Sequence, residues 1–214
     1  NCHRSPFGGR NFEYYSEDPL LAGTLAAAEV EGAFTRGVYA QIKHFALNDQ
    51  DTNRCAHLLT WASEQAIREI YCRPFEIVVK TARGSVPYLD AATGERRERE
   101  VGAAKAVMSS YNYVGATWAG GSRALCTELL RDEWGFDGYV ISDWSLYDYT
   151  DKNQAIYAGT DVNFTTTATT GEMTDAESAT AVRAMRQAMH RYLYAIANSN
   201  AVNGQVPGMR GVYA

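Results

Sequence analysis

The chain has 214 residues, of which 46% are hydrophobic and 21% are charged, and its formal net charge is −5. This composition is typical of a globular protein with enough apolar residues for one core. The mild negative charge argues against nucleic acid or an anionic membrane as a partner, and no apolar run approaches the ~20 residues that cross a bilayer. The sequence starts with Asn1 rather than Met, so its N-terminus indicates no cellular compartment.

The cysteines form no C-x-x-C pair, which argues against a zinc knuckle or a redox motif. They are Cys2, Cys55, Cys72 and Cys126. Buried free thiols are the simplest prediction, and a disulfide is the alternative. There is also no His-x-His pair and no glycine-rich phosphate loop, so we predict no metal and no other cofactor.

The N-terminal segments predict the end of a strand followed by a helix. Residues 1–6 are typical of a strand whose beginning lies outside the sequence. Ser16 or Asp18 is expected to cap a helix that has Pro19 in its first turn. Apolar residues continue this helix at helical spacing to Phe34.

A second strand is predicted over residues 38–42, with Lys43-His44-Phe45 at its C-terminal end and a polar loop over 48–54. Residues 60–71 are predicted to form a helix, and residues 76–80 a second short one.

Residues 73–75 (Arg-Pro-Phe) are expected to break the two helices apart. Residues 81–102 have no apolar period and include a mixed run of Glu and Arg. We interpret them as an inserted surface loop at the bottom of the fold, away from any site.

The C-terminal half alternates strands and helices. Strands are predicted over 105–109, 139–141 and 161–164, with helices over 125–134 and 147–158. Beyond a loop over 165–171, Thr174 and Glu177 form a candidate capping box for a helix ending near Ala197, and residues 198–214 are expected to be a tail.

This alternation predicts the α/β class. About five strands plus the N-terminal remnant are too few for an eight-stranded (β/α)8 TIM-type barrel, which takes ~250 residues. We therefore interpret residues 1–197 as part of such a barrel, and the family resemblance given below implies that they are the C-terminal part of a catalytic one.

Asp143 is the strongest catalytic candidate. It follows the strand 139–141, and the C-terminal end of a barrel strand lies at the mouth, where barrel chemistry is done. Trp144 beside it could pack on an apolar ligand face while the carboxylate meets polar or electrophilic atoms. The alternative is that Asp143 caps a helix beginning near Ser145.

Four stretches carry a specific combination of residues. They are Gly9-Arg10-Asn11-Phe12-Glu13, Lys43-His44-Phe45, Met108-Ser109-Ser110-Tyr111-Asn112 and Gly138-Tyr139-Val140-Ile141-Ser142-Asp143-Trp144. In this order they resemble the motifs of glycoside hydrolase family 3, whose best-known members are β-glucosidases. The last stretch is similar to the family's nucleophile signature. The resemblance covers nearly the whole chain except roughly residues 81–102.

The resemblance implies a retaining, exo-acting β-glycosidase that hydrolyses terminal non-reducing β-D-glycosyl residues through a covalent glycosyl-enzyme on Asp143. It implies that Lys43 and His44 bind the sugar of subsite −1, and that the Tyr111 hydroxyl lies beside the nucleophile. The implied substrate-binding residues are Arg10, Lys43, His44, Arg54, Met108, Tyr111 and Trp144.

Two arginines have structural alternatives. Arg10 follows a glycine pair and could reach the sugar site, or it could form an ion pair with Glu13 or Glu17. Arg54 could touch sugar or hold the 48–54 loop.

The other candidates have alternatives too. Lys43 could be solvated and His44 a satisfied core residue, since such groups are rarely buried without partners. Tyr111 could be a core aromatic, and Trp118 could line the mouth or simply pack.

The resemblance also implies missing parts. The family's N-acetylglucosaminidases carry a Gly-His-Gly-Asp loop with a His general acid, whereas this chain has Ala46-Leu47-Asn48-Asp49, which favours the β-glucosidase-like branch. No Glu lies in a motif matching the general acid, which the family's glucosidases take from another domain. The expected partners are a β-linked oligosaccharide or glycoside, the remaining barrel strands and an α/β sandwich domain carrying the acid. A non-catalytic sugar-binding or scaffold fragment is the competing interpretation.

Overall fold

A computed structural model describes residues 1–145, 149–165 and 173–199. Its centre is a parallel sheet of β1 (Gln41–Phe45), β5 (Ala106–Ser109) and β8 (Tyr139–Ile141), in the spatial order β1-β5-β8. A parallel bridge between Ile141 and Val162 extends this sheet beyond β8. Parallel strands joined by helices confirm the α/β prediction.

The strand count differs from the prediction. Within the described residues the parallel sheet has three strands and one bridged residue rather than about five strands. Residues 1–6 form no strand. The strand predicted over 38–42 lies at Gln41–Phe45, so Lys43 and His44 are inside it. The charged and polar side chains of this strand hide its apolar signal.

The helix α1 (Pro19–Phe34) follows the predicted pattern. Asp18 accepts hydrogen bonds from the amides of Leu20 and Leu21, and Pro19 occupies the first turn. This arrangement satisfies amides that have no partner inside the helix. Phe34 ends the helix and is buried in the core.

The next helical region starts later than predicted and ends at Tyr71 as predicted. Helix α2 (Glu64–Ala66), capped by Ser63, continues into a π-helical turn over Ile67–Tyr71. Residues 59–60 are instead the short strand β2 (Leu59–Thr60). Helix α3 (Arg73–Thr81) contains Pro74 in its first turn, where a proline is tolerated because no helical amide is lost. The two helical segments are separate as predicted, but the break lies at Cys72, and residues 73–75 form the first turn of α3.

Residues 81–102 are a β-hairpin and not a loop. Strands β3 (Arg83–Leu89) and β4 (Arg96–Gly102) pair antiparallel over their full length. Both faces of β4 are largely exposed, so its charged residues show no apolar alternation in the sequence. The hairpin connects α3 to the start of β5, at the N-terminal end of the parallel strands.

The segments around the last strands position the site. A short sheet of β2, β6 (Tyr113–Val114) and β7 (Thr117–Trp118) lies beyond the C-terminal end of β5. A π-helical segment (Ala124–Glu133) then leads toward β8, and Gly135, two residues after it, has a φ of +77° that favours glycine.

The two final helices start later than predicted. Helix α4 (Lys152–Ala158) is capped by Asp151, and residues 147 and 148 of its predicted range lie outside the described residues. Helix α5 (Ala179–Ala197) is capped by Ser178 rather than by the candidate box at Thr174, although it ends as predicted. Most of the predicted 165–171 loop and all but two residues of the predicted tail are outside the described residues.

A buried ion network fixes the start of β8. The Asp161 carboxylate is fully buried and accepts hydrogen bonds from Arg131 at 2.6 Å, Arg191 at 2.9 Å and the Val140 amide at 2.9 Å. Burial raises the pKa of Asp161 despite the two cations, and burial also lowers the pKa of Arg131. Each partner therefore depends on the other to remain charged.

All four cysteines are free; three are buried and Cys55 is half-buried. Among the described residues no group of three or more His, Cys, Asp or Glu side chains could hold a metal ion. None of the helices described is both long and apolar enough to span a bilayer.

Candidate active site

The candidate residues meet at the C-terminal ends of the parallel strands. His44 lies near the end of β1, Tyr111 follows β5 and Asp143 follows β8. Because these strands are parallel and adjacent, their ends share one edge of the sheet. Side chains more than 30 residues apart in sequence therefore come into contact there.

Asp143 is held by three groups. Its Oδ2 lies 3.2 Å from Nη1 of Arg54 and 3.4 Å from Nε2 of His44, and its Oδ1 accepts the Trp144 amide at 2.7 Å. The side chain is 14% exposed. The first helix described after Asp143 is α4, capped by Asp151, and residues 146–148, where the alternative places the start of a helix, lie outside the described residues.

His44 is a neutral imidazole in this setting. The residue is 2% exposed, and burial, followed by the charges of Arg10, Lys43 and Arg54, lowers its pKa to about 2. Its 3.4 Å contact with Asp143 is therefore a contact of a neutral ring with a carboxylate and not an ion pair. Nδ1 is buried and has no hydrogen-bond partner within the described part of the chain.

Glu13 joins the two other cations of the site. Arg10 donates to both of its oxygens at 2.7 and 2.8 Å, and Lys43 Nζ lies 3.0 Å from Oε2. Burial works against the charge of Glu13, but these hydrogen bonds outweigh it and the pKa of Glu13 is lowered. The ion-pair alternative for Arg10 is therefore present, with Glu13 as its partner. Arg10 also lies close enough to His44 to lower its pKa.

Arg54 holds its own loop, which is one of its two predicted functions, and it also reaches the candidate nucleophile, while its contact with sugar stays a prediction. Its Nε lies 3.0 Å from Asp51 of its own loop, and its Nη1 contacts Asp143. The guanidinium carbon lies 4.9 Å from the centre of the Tyr111 ring, which is a cation–π distance. One side chain thus connects the loop, the aromatic and the candidate nucleophile.

The aromatic candidates have distinct environments. The Tyr111 hydroxyl donates to the Trp144 carbonyl at 2.7 Å, one residue beyond Asp143. The Trp144 ring packs edge-on against Phe164 at 4.9 Å, and its Nε1 is buried without a hydrogen-bond partner in the described residues. Trp118 is 2% exposed and donates to the Ser110 carbonyl, so it is a packing residue and does not line the mouth.

Met108 lies inside β5, paired in register with Ile141, and is half-buried. Met108 is one residue before the end of β5 and three residues before Tyr111. Its expected contact with sugar stays a prediction.

Residues 100–192 match the family model described as the glycosyl hydrolase family 3 N terminal domain. A β-glucosidase of Ruminococcus albus is 46% identical over 145 residues, which is 67% of this chain and 13% of that protein. The chain belongs to glycoside hydrolase family 3.

Other comparisons agree with this family 3 assignment. An exo-α-(1→6)-L-arabinopyranosidase of Bifidobacterium longum is 41% identical over 159 residues, 74% of this chain and 18% of that protein. β-Glucosidase 3B of Thermotoga neapolitana, solved in complex with α-D-glucose, superposes with a TM-score of 0.79 at 32% identity and covers 99% of this chain and 28% of its own. The family 3 chain described here therefore spans less than a third of each of these relatives.

Sequence reasoning gave no site role to two residues of this family 3 chain. Glu13 was considered only as a partner of Arg10, and it also holds Lys43. Asp51 was part of an unassigned polar loop, and it holds Arg54. Both acids stand three residues from an arginine, a spacing that suits a local ion pair and could have identified them.

Proposed function

We propose that this chain carries the nucleophile and most of the sugar-binding residues of a retaining, exo-acting β-glycosidase. The observation that supports this best is the environment of Asp143. Its carboxylate is 14% exposed and is held by Arg54, neutral His44 and a backbone amide. These contacts fix the position of the carboxylate at the C-terminal edge of the parallel sheet.

In the proposed first step, an oxygen of Asp143 attacks the anomeric carbon of the terminal sugar. The glycosidic bond breaks, and a second carboxyl group about 5–5.5 Å from the nucleophile protonates the leaving oxygen. In the second step that carboxylate removes a proton from water, the water attacks the anomeric carbon, and the Asp143 carboxylate is released. The overall stereochemistry is retained because inversion occurs twice.

The proposed subsite −1 uses the residues around Asp143. Lys43 and His44 offer hydrogen bonds to ring hydroxyls, Arg10 and Arg54 supply fixed positive charge, and the Trp144 ring offers an apolar face. Trp144 Nε1 and His44 Nδ1 are buried polar atoms with no partner among the described residues, as expected where a polar ligand fits. Tyr111 and Met108 are proposed as neighbours of the same sugar.

We further propose that the parallel sheet is the C-terminal part of a TIM-type barrel completed by other polypeptide. Among the described residues β1 is the edge strand of the sheet, and a cavity of about 190 Å³ lies between it and α1, lined by apolar side chains such as Ile42 and Phe75 and by charged ones such as Glu29 and Lys43. An edge strand beside a cavity favours further strands. The general acid belongs to that polypeptide, in an α/β sandwich domain.

The nucleophile is tested in the full-length enzyme that contains this chain. Asp143→Ala should lower turnover of an activated aryl β-glucoside by several orders of magnitude, and azide should restore it as a glycosyl azide product. Asp132→Ala, on the exposed side of the π-helical segment, is the matched control and should leave turnover unchanged. An Asp143→Ala enzyme within tenfold of the parent would refute the proposed nucleophile.

A non-catalytic sugar-binding fragment is the second candidate. It is favoured by one observation: among the described residues, the two further carboxylates that contact cations of the site, Glu13 and Asp51, are both engaged in ion pairs, so neither is free to act as a general acid. An aryl glycoside with a good leaving group separates the candidates, because Asp143 alone should still release a burst of phenol. Among aryl glycosides we expect β-D-glucosides to react faster than α-L-arabinopyranosides.

A further inference from the structure

Two loops meet next to Arg54, and Asp51 makes contacts with both. The Asp51 amide donates to the Gly8 carbonyl at 2.9 Å, which ties the 48–54 loop to the loop that precedes Arg10. The Asp51 carbonyl accepts the Arg54 amide at 3.2 Å, and the Asp51 carboxylate lies 3.0 Å from Arg54 Nε. The backbone contacts of Asp51 thus fix its position independently of the contact between its side chain and Arg54.

Gly9 makes this junction possible. Its φ is +87°, and a Cβ atom at this position would lie 3.0 Å from the Asp51 Cβ. A side chain at residue 9 would therefore be strained and would also displace Asp51. The glycine pair before Arg10 thus allows the first loop to pack against Asp51.

The contacts of Arg54 fix the plane of its guanidinium. Nε is held by Asp51, Nη1 contacts Asp143 Oδ2 at 3.2 Å, and the face of the group covers the Tyr111 ring. Because the guanidinium is rigid and planar, holding Nε also determines where Nη1 points. Without that hold, a long arginine side chain samples many rotamers.

We propose that Asp51 is a positioning residue that holds Arg54 Nη1 on the nucleophile. This inference rests on the proposed function of Asp143. The Asp51 side chain is 50% exposed, so its ion pair adds little to the stability of the fold. Its effect is on the orientation of Arg54, and through Arg54 on the carboxylate that attacks the sugar.

The test is a double-mutant cycle in the full-length enzyme, with kcat/KM for an activated aryl β-glucoside as the readout. Asp51→Ala should lower kcat/KM about tenfold, within the range of coupled contacts. Asp51→Glu, which keeps a carboxylate, should recover part of the loss, and Asp51→Asn should fall between the two. In an Arg54→Ala background, Asp51→Ala should cause no further loss, because its effect passes through Arg54.

The controls separate orientation from folding. Gln50→Ala, on the same loop, should leave kcat/KM unchanged, and all variants should unfold at nearly the parent temperature. If Asp51→Ala fails to fold, Asp51→Asn carries the same cycle.

Equal losses from Asp51→Ala in both backgrounds, or no loss in either, would overturn the inference. Asp143→Ala measured in parallel separates this from failure of the proposed function: an active Asp143→Ala enzyme means that the nucleophile itself is wrong.

Discussion

Replacing Asp161 with Asn should test how much the buried ion network contributes to stability. The change keeps the size of the side chain but removes the charge that faces Arg131 and Arg191. It also places an amide NH2 group where one of the carboxylate oxygens accepts hydrogen bonds. The side chain of Arg131 is 7% exposed and loses its hydrogen bond to Asp161. Its hydrogen bonds to the carbonyls of Gly138 and Gly159 remain.

The expected loss follows from the burial of the pair. Breaking a buried ion pair by removing one partner costs about 3–5 kcal/mol, because the other charge is left in a poor solvent. Burial already lowers the pKa of Arg131 with Asp161 present, so the guanidinium has little tolerance for losing its counter-charge. We therefore expect Asp161→Asn to lower the free energy of unfolding by about 3 kcal/mol or more.

Urea unfolding of the full-length enzyme, followed by tryptophan fluorescence, measures this loss. The matched control is Glu133→Gln, since Glu133 also pairs with an arginine at 2.7 Å but on the surface, with Arg68. We expect little change in the control. Equal effects of the two substitutions would refute the argument that burial decides the magnitude.

Two further predictions concern His44 and Gly138. The folded-state pKa of His44 is about 2, against an ordinary value of 6.5, so the unfolded chain binds a proton that the folded chain does not between these pH values. The free energy of unfolding should therefore fall as the pH drops below about 6.5, by about 1.4 kcal/mol per pH unit from this group. In urea unfolding at pH 7.0 and 5.5, His44→Gln should remove this pH dependence. An unchanged dependence in the variant would contradict the lowered pKa. A Cβ at Gly138 would lie 2.5 Å from the Lys105 carbonyl carbon, whereas one at Gly32 would meet nothing within 4 Å. Gly138→Ala should lower the stability of the fold by about 1–3 kcal/mol, and Gly32→Ala should leave it unchanged or raise it. Thermal unfolding that ranks the two variants the other way would contradict close packing of the starts of β5 and β8.

Local signals in the sequence predicted much of the fold. Asp18 and Pro19 mark the start of α1, and the run Tyr139–Ile141 is a strand as predicted, because each signal acts within a few residues. The β3–β4 hairpin was missed because β4 is exposed on both faces, so charge gives no alternation. The start of α5 was misplaced by four residues, since Thr174 and Ser178 are equally good caps in isolation.

The sequence predicted which residues belong to the candidate site but not which side chains contact one another there. The motifs named Lys43, His44, Tyr111 and Asp143, and the sheet order brings them together. The sequence could not show that Arg54 contacts Asp143, because 89 residues separate them. For the same reason it could not pair Asp161 with both Arg131 and Arg191, which lie 30 residues away in opposite directions.

The ion pairs around the site have a consequence for the reaction cycle. Among the described residues, three cations and three carboxylates cluster there, and with His44 neutral the formal charges of these six groups sum to zero. They are Arg10, Lys43, Arg54, Glu13, Asp51 and Asp143. Such a balanced site suits an uncharged sugar and gives an anionic one no net attraction. Under the proposed mechanism, ester formation on Asp143 consumes one negative charge and leaves an excess of one positive charge. That excess favours breaking the ester bond, because the departing carboxylate restores neutrality beside Arg54.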